Sequence, residues 1–472
     1  KIGPTQLTFG GMLRTGTTKA ACAVLLSLSA LIGRKLWLRR LARLALESVS
    51  GYTAPGFERS RAAFEQNFRE LREDGAQVCV WVHGHQVLDL CGGLLDADTL
   101  SVVFSCSKVL ESLALAIAVD RKLLRYEDEI ARHWAEFSQN GKGTTTVVQL
   151  LRHEAALAAI EPLDVFLPIP AQEQFLAQQT PNWFQDRERR CLYHAVTRGL
   201  YTGIILTRVD PAKRTIGKFI QDEIVKPLSE VAEGGRSGAV DFFLGLPESK
   251  QKHVSTASEH SRLFIVVQLV LPRWMCKLLF AKMDLLYPWE LKGIKALLLG
   301  GKRSIIRRSL DAVRFTTQAK PRIPRMDALF NSPEYRALEL ASASGCASAR
   351  GLAKVAAALA GRGTLQGVTI LSPEGYESAC RHGAPVYDEG FHRPLAYTAA
   401  GWGADRFEVY GFPGWQGWGG AGGSICVWND EYNVALAYVP TRLTSRTAKP
   451  RGLRILHAVC QDVGVPFFPE SY

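Results

Sequence analysis

The 472-residue sequence predicts an α/β (α+β) fold: a central antiparallel sheet built from both chain ends, flanking helices and a mostly helical second lobe. Two β-rich runs, residues 78–82 (VCVWV) and 86–90 (QVLDL), flank the tight turn His83-Gly84-His85 and read as antiparallel strands. Near the other end, residues 425–428 (ICVW) and 434–439 (VALAYV) flank the polar turn Asn429-Asp430-Glu431 and read the same way. Between these hairpins the apolar spacing is mostly helical. Strands from both termini then share one sheet, and the cleft between sheet and helical lobe is the expected position of a site.

The first fifty residues stand apart from this plan. Residues 20–33 (AACAVLLSLSALIG) carry no charge and run into Arg34-Lys35, with Arg39, Arg40 and Arg43 close behind. Fourteen residues are short for a bilayer span unless Leu36, Trp37 and Leu38 dip in as well. Residues 1–50 therefore read as a hydrophobic and basic targeting or membrane-anchor segment. Its Arg-rich, acid-poor character resembles a mitochondrial transit or anchor region, so the expected location is mitochondrial or membrane-associated. An apolar helix docking on the domain is the alternative.

The domain itself is expected over residues 55–472. Within it, residues 105–122 place Leu110, Leu113, Ala114 and Ile117 on one helical face, and Leu453, Leu456, Cys460 and Val463 mark a closing helix. Residues 250–320 interrupt the plan with a basic apolar insertion (LFIVVQLVLP, WMCKLLF, IKALLLGGKRSIIRR) whose charges are too closely spaced for a spanning helix. It reads either as amphipathic helices facing a membrane or partner, or as a packed insertion whose Lys and Arg face solvent.

The net charge of +12 is unevenly spread: +7 over residues 1–50, +8 over residues 262–308 and −3 over the rest. A nucleic-acid-binding body would spread Lys and Arg over a docking face, so nucleic acid is not an expected partner. Both basic stretches are also apolar, which suits an anionic membrane surface better. Ten Cys are scattered with no C-x-x-C, so zinc-ribbon and thioredoxin-type readings fail and a reducing compartment fits best.

Ser105-Cys106-Ser107-Lys108 opens the helix over residues 105–122, so Ser105 and Lys108 stand one turn apart on the same face. A serine hydroxyl is a weak nucleophile until its proton is removed, and an amine at this spacing can remove it. S-x-x-K is short, and a surface Ser and Lys arise from it by chance. Residues 417–422 satisfy G-x-G-x-x-G, but Ile425-Cys426-Val427-Trp428 continues them as a strand rather than the helix a dinucleotide needs. His153-Glu154 begins like H-E-x-x-H, but Leu157 stands at the second His position, so no zinc pair forms. Cys106 points away from Ser105 across the turn and reads as core.

The surroundings of S-x-x-K sharpen the reading. Asp98-Thr99-Leu100 precedes it, Asp120-Arg121-Lys122-Leu123 closes its helix, and Thr146-Val147-Val148-Gln149-Leu150-Leu151-Arg152-His153 follows. Together these resemble the serine β-lactamase and penicillin-binding-protein superfamily, especially its class C-like esterases and the β-lactamase-like proteins of eukaryotic mitochondria. The resemblance implies that Ser105 is the acylated nucleophile and Lys108 its base. Tyr193-His194-Ala195-Val196-Thr197-Arg198-Gly199, preceded by Pro181-Asn182-Trp183, resembles the second motif, whose Tyr activates the nucleophile or relays a proton. Without the family, Tyr193 reads as a buried aromatic. Gly417-Trp418-Gly419-Gly420-Ala421-Gly422-Gly423-Ser424 resembles the third motif. By that resemblance Trp418, Gly419 and Gly420 border the substrate, and the amides of Ala421 and Ser105 form an oxyanion hole. Asp241-Phe242-Phe243 and Ala341-Ser342-Ala343-Ser344-Gly345 extend the match, which covers residues 60–445 in the family's order.

Three departures bear on function. Class C enzymes have Tyr-x-Asn where this chain has Tyr193-His194-Ala195, and Lys-Thr-Gly where it has Trp418-Gly419-Gly420. Loss of that Lys removes a partner for a substrate carboxylate and leaves a neutral ester or amide as substrate; Trp-Gly-Gly is similar to the superfamily's esterases. His153-Glu154-Ala155-Ala156-Leu157 stands where relatives have His-Thr-Ser-Gly-Leu, putting charge and bulk into a tight turn. Two functions follow. The first is a serine hydrolase with no metal and no cofactor, acting on an ester, amide or small peptide, with Ser105 as nucleophile, Lys108 and Tyr193 moving its proton, and Ala421 helping to hold the oxyanion. The second is a catalytically weak or inactive scaffold or membrane-associated interaction protein. Intact Ser105, Lys108 and Tyr193 favour the first; Glu154 and the two basic apolar stretches favour the second.

Overall fold

The structure is a computed structural model that describes residues 40, 43, 44, 46–70, 73–160, 168–182, 190–232, 239–259, 326–389, 391, 393–403, 407–443 and 450–468. The apolar run at residues 20–33, the basic insertion over residues 262–308 and Trp183 lie outside the described residues. Among the described residues no helix is long and apolar enough to cross a membrane.

Both predicted hairpins form. The strands β1 (Ser50–Thr53), β2 (Gly75–Val82), β3 (His85–Gly93), β4 (Gln416–Gly419), β5 (Ile425–Asn429) and β6 (Val434–Pro440) make one antiparallel sheet in the order β1-β3-β2-β6-β5-β4. The two chain ends meet at its centre, where β2 pairs β6 with Val78 opposite Tyr438 and Val80 opposite Leu436. The edge strand β1 begins at Ser50, so the sheet starts before the residue 55 boundary read from sequence.

Strand side chains alternate between faces, and both faces of this sheet are apolar, so each needs cover. Val78, Val80, Leu88, Val427, Leu436 and Tyr438 pack under helices α1 (Glu58–Arg69) and the closing α6 (Pro450–Val463). Asp462 ties these two helices together by accepting from the backbone N (3.0 Å) and hydroxyl (2.7 Å) of Ser60. Cys79, Trp81, Cys426, Trp428, Ala435 and Ala437 face the larger core on the other side. There α5 (Ala349–Ala360) lies against β2, β5 and β6, and Ser348 caps it by accepting from the Gly351 amide.

The helix after S-x-x-K, α2 (Ser107–Asp120), is buried on all sides from Ser107 to Ala118 rather than on one face. It sits between the sheet half and the helical lobe and packs on α4 (Thr197–Val209), while α3 (Val147–Leu151) ends just before His153. A helix enclosed in this way has no solvent face on which a polar stripe would be selected. Its polar groups Lys108, Glu111 and Ser112 are therefore interior groups that need partners.

Candidate active site

Ser105 lies in a 3-10 turn, Phe104–Cys106, between a short strand, Ser101–Val102, and the start of α2. Phe104 takes φ +49°, a left-handed conformation that costs a non-glycine residue on the order of 1–2 kcal/mol. The surroundings hold it there. Its ring is buried edge-on against Phe330 at 4.7 Å, and its carbonyl accepts from the Ser107 hydroxyl at 2.5 Å. That hydroxyl accepts from the Gly345 amide at 3.0 Å, and a Cβ on Gly345 would stand 2.5 Å from it, so only glycine fits. Ser105 is left half-buried at the turn's outer side, whereas Cys106 is wholly buried with its Sγ 3.5 Å from both the Trp418 carbonyl and Ser424 Oγ.

Tyr193 reaches Ser105 directly: its hydroxyl donates to Ser105 Oγ at 2.8 Å. Lys108 is fully buried, and its Nζ donates to the carbonyls of Ala195 (2.7 Å) and Ser342 (3.0 Å). It also interacts with Tyr193, and its Nζ lies 5.0 Å from that ring's centroid. Burial pushes the Lys108 ammonium below the usual lysine range, with Arg198 adding to this and Tyr193 and Glu111 opposing it. The spacing of S-x-x-K on a single helix pointed to Lys108 touching Ser105. Instead Ser105 precedes the α-helix in its own 3-10 turn, and Tyr193 is the residue in contact with both, hydrogen-bonding Ser105 Oγ and interacting with Lys108.

The Tyr193 ring is held by aromatic contacts with His153 (4.8 Å), Phe391 (5.4 Å) and Trp418 (6.1 Å, stacked). Its loop is clamped to the turn after α3 by two buried histidines. The His194 amide donates to His153 Nδ1, and the Leu157 amide donates to His194 Nε2, each at 3.0 Å. With Nε2 accepting, His194 Nδ1 donates to the Leu192 carbonyl at 2.6 Å. Burial lowers the His194 pKa to about 3, consistent with this neutral tautomer. In the turn itself His153 and Ala156 both take positive φ, and the residues packed inward at 155 and 156 are small alanines. Glu154 keeps a half-exposed side chain, so the charge absent from the family pattern is not buried in the turn.

The third motif forms β4 and the turn after it. Ser424 Oγ donates to the Val103 carbonyl at 3.0 Å, and a Cβ on Gly420 would meet that same carbonyl oxygen at 2.3 Å. Glycine at 420 thus lets the Gly420-Ala421 turn lie directly against the turn carrying Ser105. Gly419 is half-exposed and Ala421 exposed. Trp418 departs from the expected role at the substrate: its indole is wholly buried, stacked on Tyr397 at 5.7 Å with the Arg198 guanidinium 5.3 Å away. It forms the wall behind Tyr193. Among the described residues no group of three His, Cys, Asp or Glu is placed to hold a metal ion.

Sequence reasoning did not single out Glu111, and it quoted Arg198, His153 and His194 inside motifs without giving them a role. The signal available for Glu111 and Arg198 was a charge of each sign among apolar neighbours in two helices that both had to be buried.

Residues 64–459 match the model of the Beta-lactamase family. The chain belongs to that family. It is 27% identical over 413 residues to the esterase/β-lactamase LipL of Mycobacterium tuberculosis, covering 84% of each chain. A penicillin-binding-protein homologue from Caulobacter crescentus superposes with a TM-score of 0.69 at 26% identity, over 88% of this chain and 99% of the other. A family VIII carboxylesterase gives the same TM-score and coverage at 25% identity. This Beta-lactamase family member is thus a hydrolase of the β-lactamase/transpeptidase-like fold, with esterases among the proteins it resembles.

Proposed function

We propose that this chain hydrolyses neutral carboxylic esters, or amides of similar size, through an acyl-enzyme on Ser105. The observation that carries the reading is the 2.8 Å contact between Tyr193 and Ser105, with Lys108 buried behind the same hydroxyl. Hydroxyls rotate and exchange donor for acceptor, so Ser105 can pass its proton to Tyr193 Oη as Tyr193 passes its own to a neutral Lys108. Ser105 Oγ then bonds to the substrate carbonyl carbon. The proton returns along the same line to the leaving alkoxide as its bond to that carbon breaks. Water repeats the sequence on the acyl-enzyme and releases the acid.

Among the described residues neither the Ser105 amide nor the exposed Ala421 amide has a hydrogen-bond partner in the chain, and both turns abut at Val103 and Gly420. They supply the oxyanion donors in this reading. Substrate preference follows from position 418, where a buried indole replaces a lysine and leaves a substrate carboxylate without that cation. The rival reading of an inactive scaffold loses its argument from Glu154, whose side chain is half-exposed.

A fluorophosphonate probe tests the proposal, followed by mass mapping and rates on a neutral p-nitrophenyl ester. Labelling of Ser105, abolished in Ser105→Ala and kept in Cys106→Ala, is the expected result. Equal labelling of Ser105→Ala and the natural chain would overturn it.

A further inference from the structure

Beneath the site lies an ion pair that the proton relay does not use directly. Glu111 on α2 and Arg198 on α4 are both fully buried. Arg198 Nε and Nη2 donate to the two carboxylate oxygens at 3.0 and 3.1 Å. Nη2 also donates to Ser112 Oγ at 3.1 Å and, at 3.4 Å, to the Lys108 carbonyl. Nη1 donates to the carbonyls of Leu151 and Gly401, both at 3.1 Å. On the other side, Glu111 accepts from Thr202 Oγ1 at 2.8 Å and Ser342 Oγ at 3.3 Å.

These contacts converge on the groups that hold the relay. The Ser342 carbonyl receives Lys108 Nζ, and the Ser342 hydroxyl, anchored to Glu111, also accepts from the Gly199 amide at 2.6 Å. The Arg198 guanidinium lies against Trp418, which stacks on Tyr193. Leu151 is two residues before His153, which packs on the Tyr193 ring. Gly401 takes φ +83°, and a Cβ there would stand 2.5 Å from the Leu151 carbonyl oxygen and 2.8 Å from Arg198 Nη1, so glycine lets the two carbonyls close on the guanidinium. Stability alone does not explain such a pair, because apolar replacements of buried ion pairs are often neutral or stabilising.

We propose that Glu111 and Arg198 are positioning residues for the relay, fixing the Ser342 carbonyl and the Trp418 wall that align Lys108 and Tyr193 and balancing charge beside Lys108. The inference rests on the serine-hydrolase reading. The titratable and charged groups facing Lys108 are Tyr193, Glu111, Arg198 and the neutral His194, with His153 beyond the Tyr193 ring. Glu111 raises the proton affinity of Lys108 and Arg198 lowers it. Because the relay needs a neutral Lys108, removing either charge should move the acid limb of the rate profile, in opposite directions.

The test is kcat/KM against pH for a neutral p-nitrophenyl ester, together with fluorophosphonate labelling rates, on folded protein counted by active-site titration. Glu111→Gln should carry the acid limb about one to two pH units lower and Arg198→Gln a similar amount higher, the size expected for a unit charge roughly 6–12 Å away at an effective dielectric of about 20. The double variant should return it to within a few tenths of a unit of the natural profile. If Arg198→Gln does not fold, the comparison of Glu111→Gln with the double variant carries the same information. Limbs that stay in place while only melting temperature or active fraction falls would reduce the pair to a structural role and overturn the proposal. A natural chain that is not labelled at Ser105 would overturn the hydrolase reading, and this inference with it.

Discussion

Replacing Tyr193 by Phe removes one oxygen from the line Ser105, Tyr193, Lys108 and keeps the ring. The contacts of that ring with His153, Phe391 and Trp418, at 4.8, 5.4 and 6.1 Å, do not involve the hydroxyl. What disappears is the 2.8 Å hydrogen bond to a half-buried Ser105 and one partner of Lys108, which retains the carbonyls of Ala195 and Ser342. A hydrogen bond of this kind contributes about 1 kcal/mol to stability. The catalytic loss is larger, because a positioned proton-transfer group contributes about 10²–10⁴ in rate, or roughly 3–5 kcal/mol in the barrier. Tyr193→Phe is therefore expected to lower kcat on a neutral p-nitrophenyl ester by about a hundredfold or more, with unfolding free energy falling by only about 1 kcal/mol. Initial rates and urea denaturation on the same preparation measure both. A rate within threefold of the natural chain would show that Tyr193 only packs, and the relay would be wrong.

Other residues separate chemistry from architecture. A neutral short-chain ester should be turned over faster than a carboxylated β-lactam. Trp418→Lys should not convert the preference, because the ammonium would enter a buried aromatic wall beside Arg198; circular dichroism should show loss of fold, and a folded variant with gained β-lactam turnover would contradict this placement. Ser107→Ala removes the hydroxyl that joins the Phe104 carbonyl to the Gly345 amide and should cost about 1–3 kcal/mol in denaturation while the folded fraction still labels at Ser105. His194 binds its proton near pH 3 when folded and near 6.5 when unfolded, so the unfolded chain holds the extra proton between those values. Stability from this group is complete above about pH 6.5 and falls by about 1.4 kcal/mol per pH unit below it. Stability measured at pH 7 and pH 5 should show that loss, and His194→Gln should have a shallower slope; equal slopes would remove His194 as the source.

The hairpins at both ends and the antiparallel sheet were legible because they depend on local pattern. Alternating apolar residues and a short polar turn specify a hairpin wherever it lies, and Ser105 and Lys108 stand at a local spacing, whereas Tyr193 and the Gly420-Ala421 turn were legible only through the resemblance to the family. Which of these groups touch was a matter of tertiary packing. How Ser105 is presented to Tyr193 depends on where α2 begins, which the left-handed Phe104 marks, held by the Ser107 hydroxyl on its carbonyl and by Phe330 against its ring. Trp418 looked like a residue of the cleft, yet β4 turns its indole inward against Tyr193 and Tyr397. The pairing of Glu111 with Arg198, 87 positions apart, left no mark in either local pattern. The sequence alone determined that both charges lie among apolar neighbours; only the enclosure of α2 by α4 and the sheet half made each the other's partner, because a charge removed from water must find its opposite nearby.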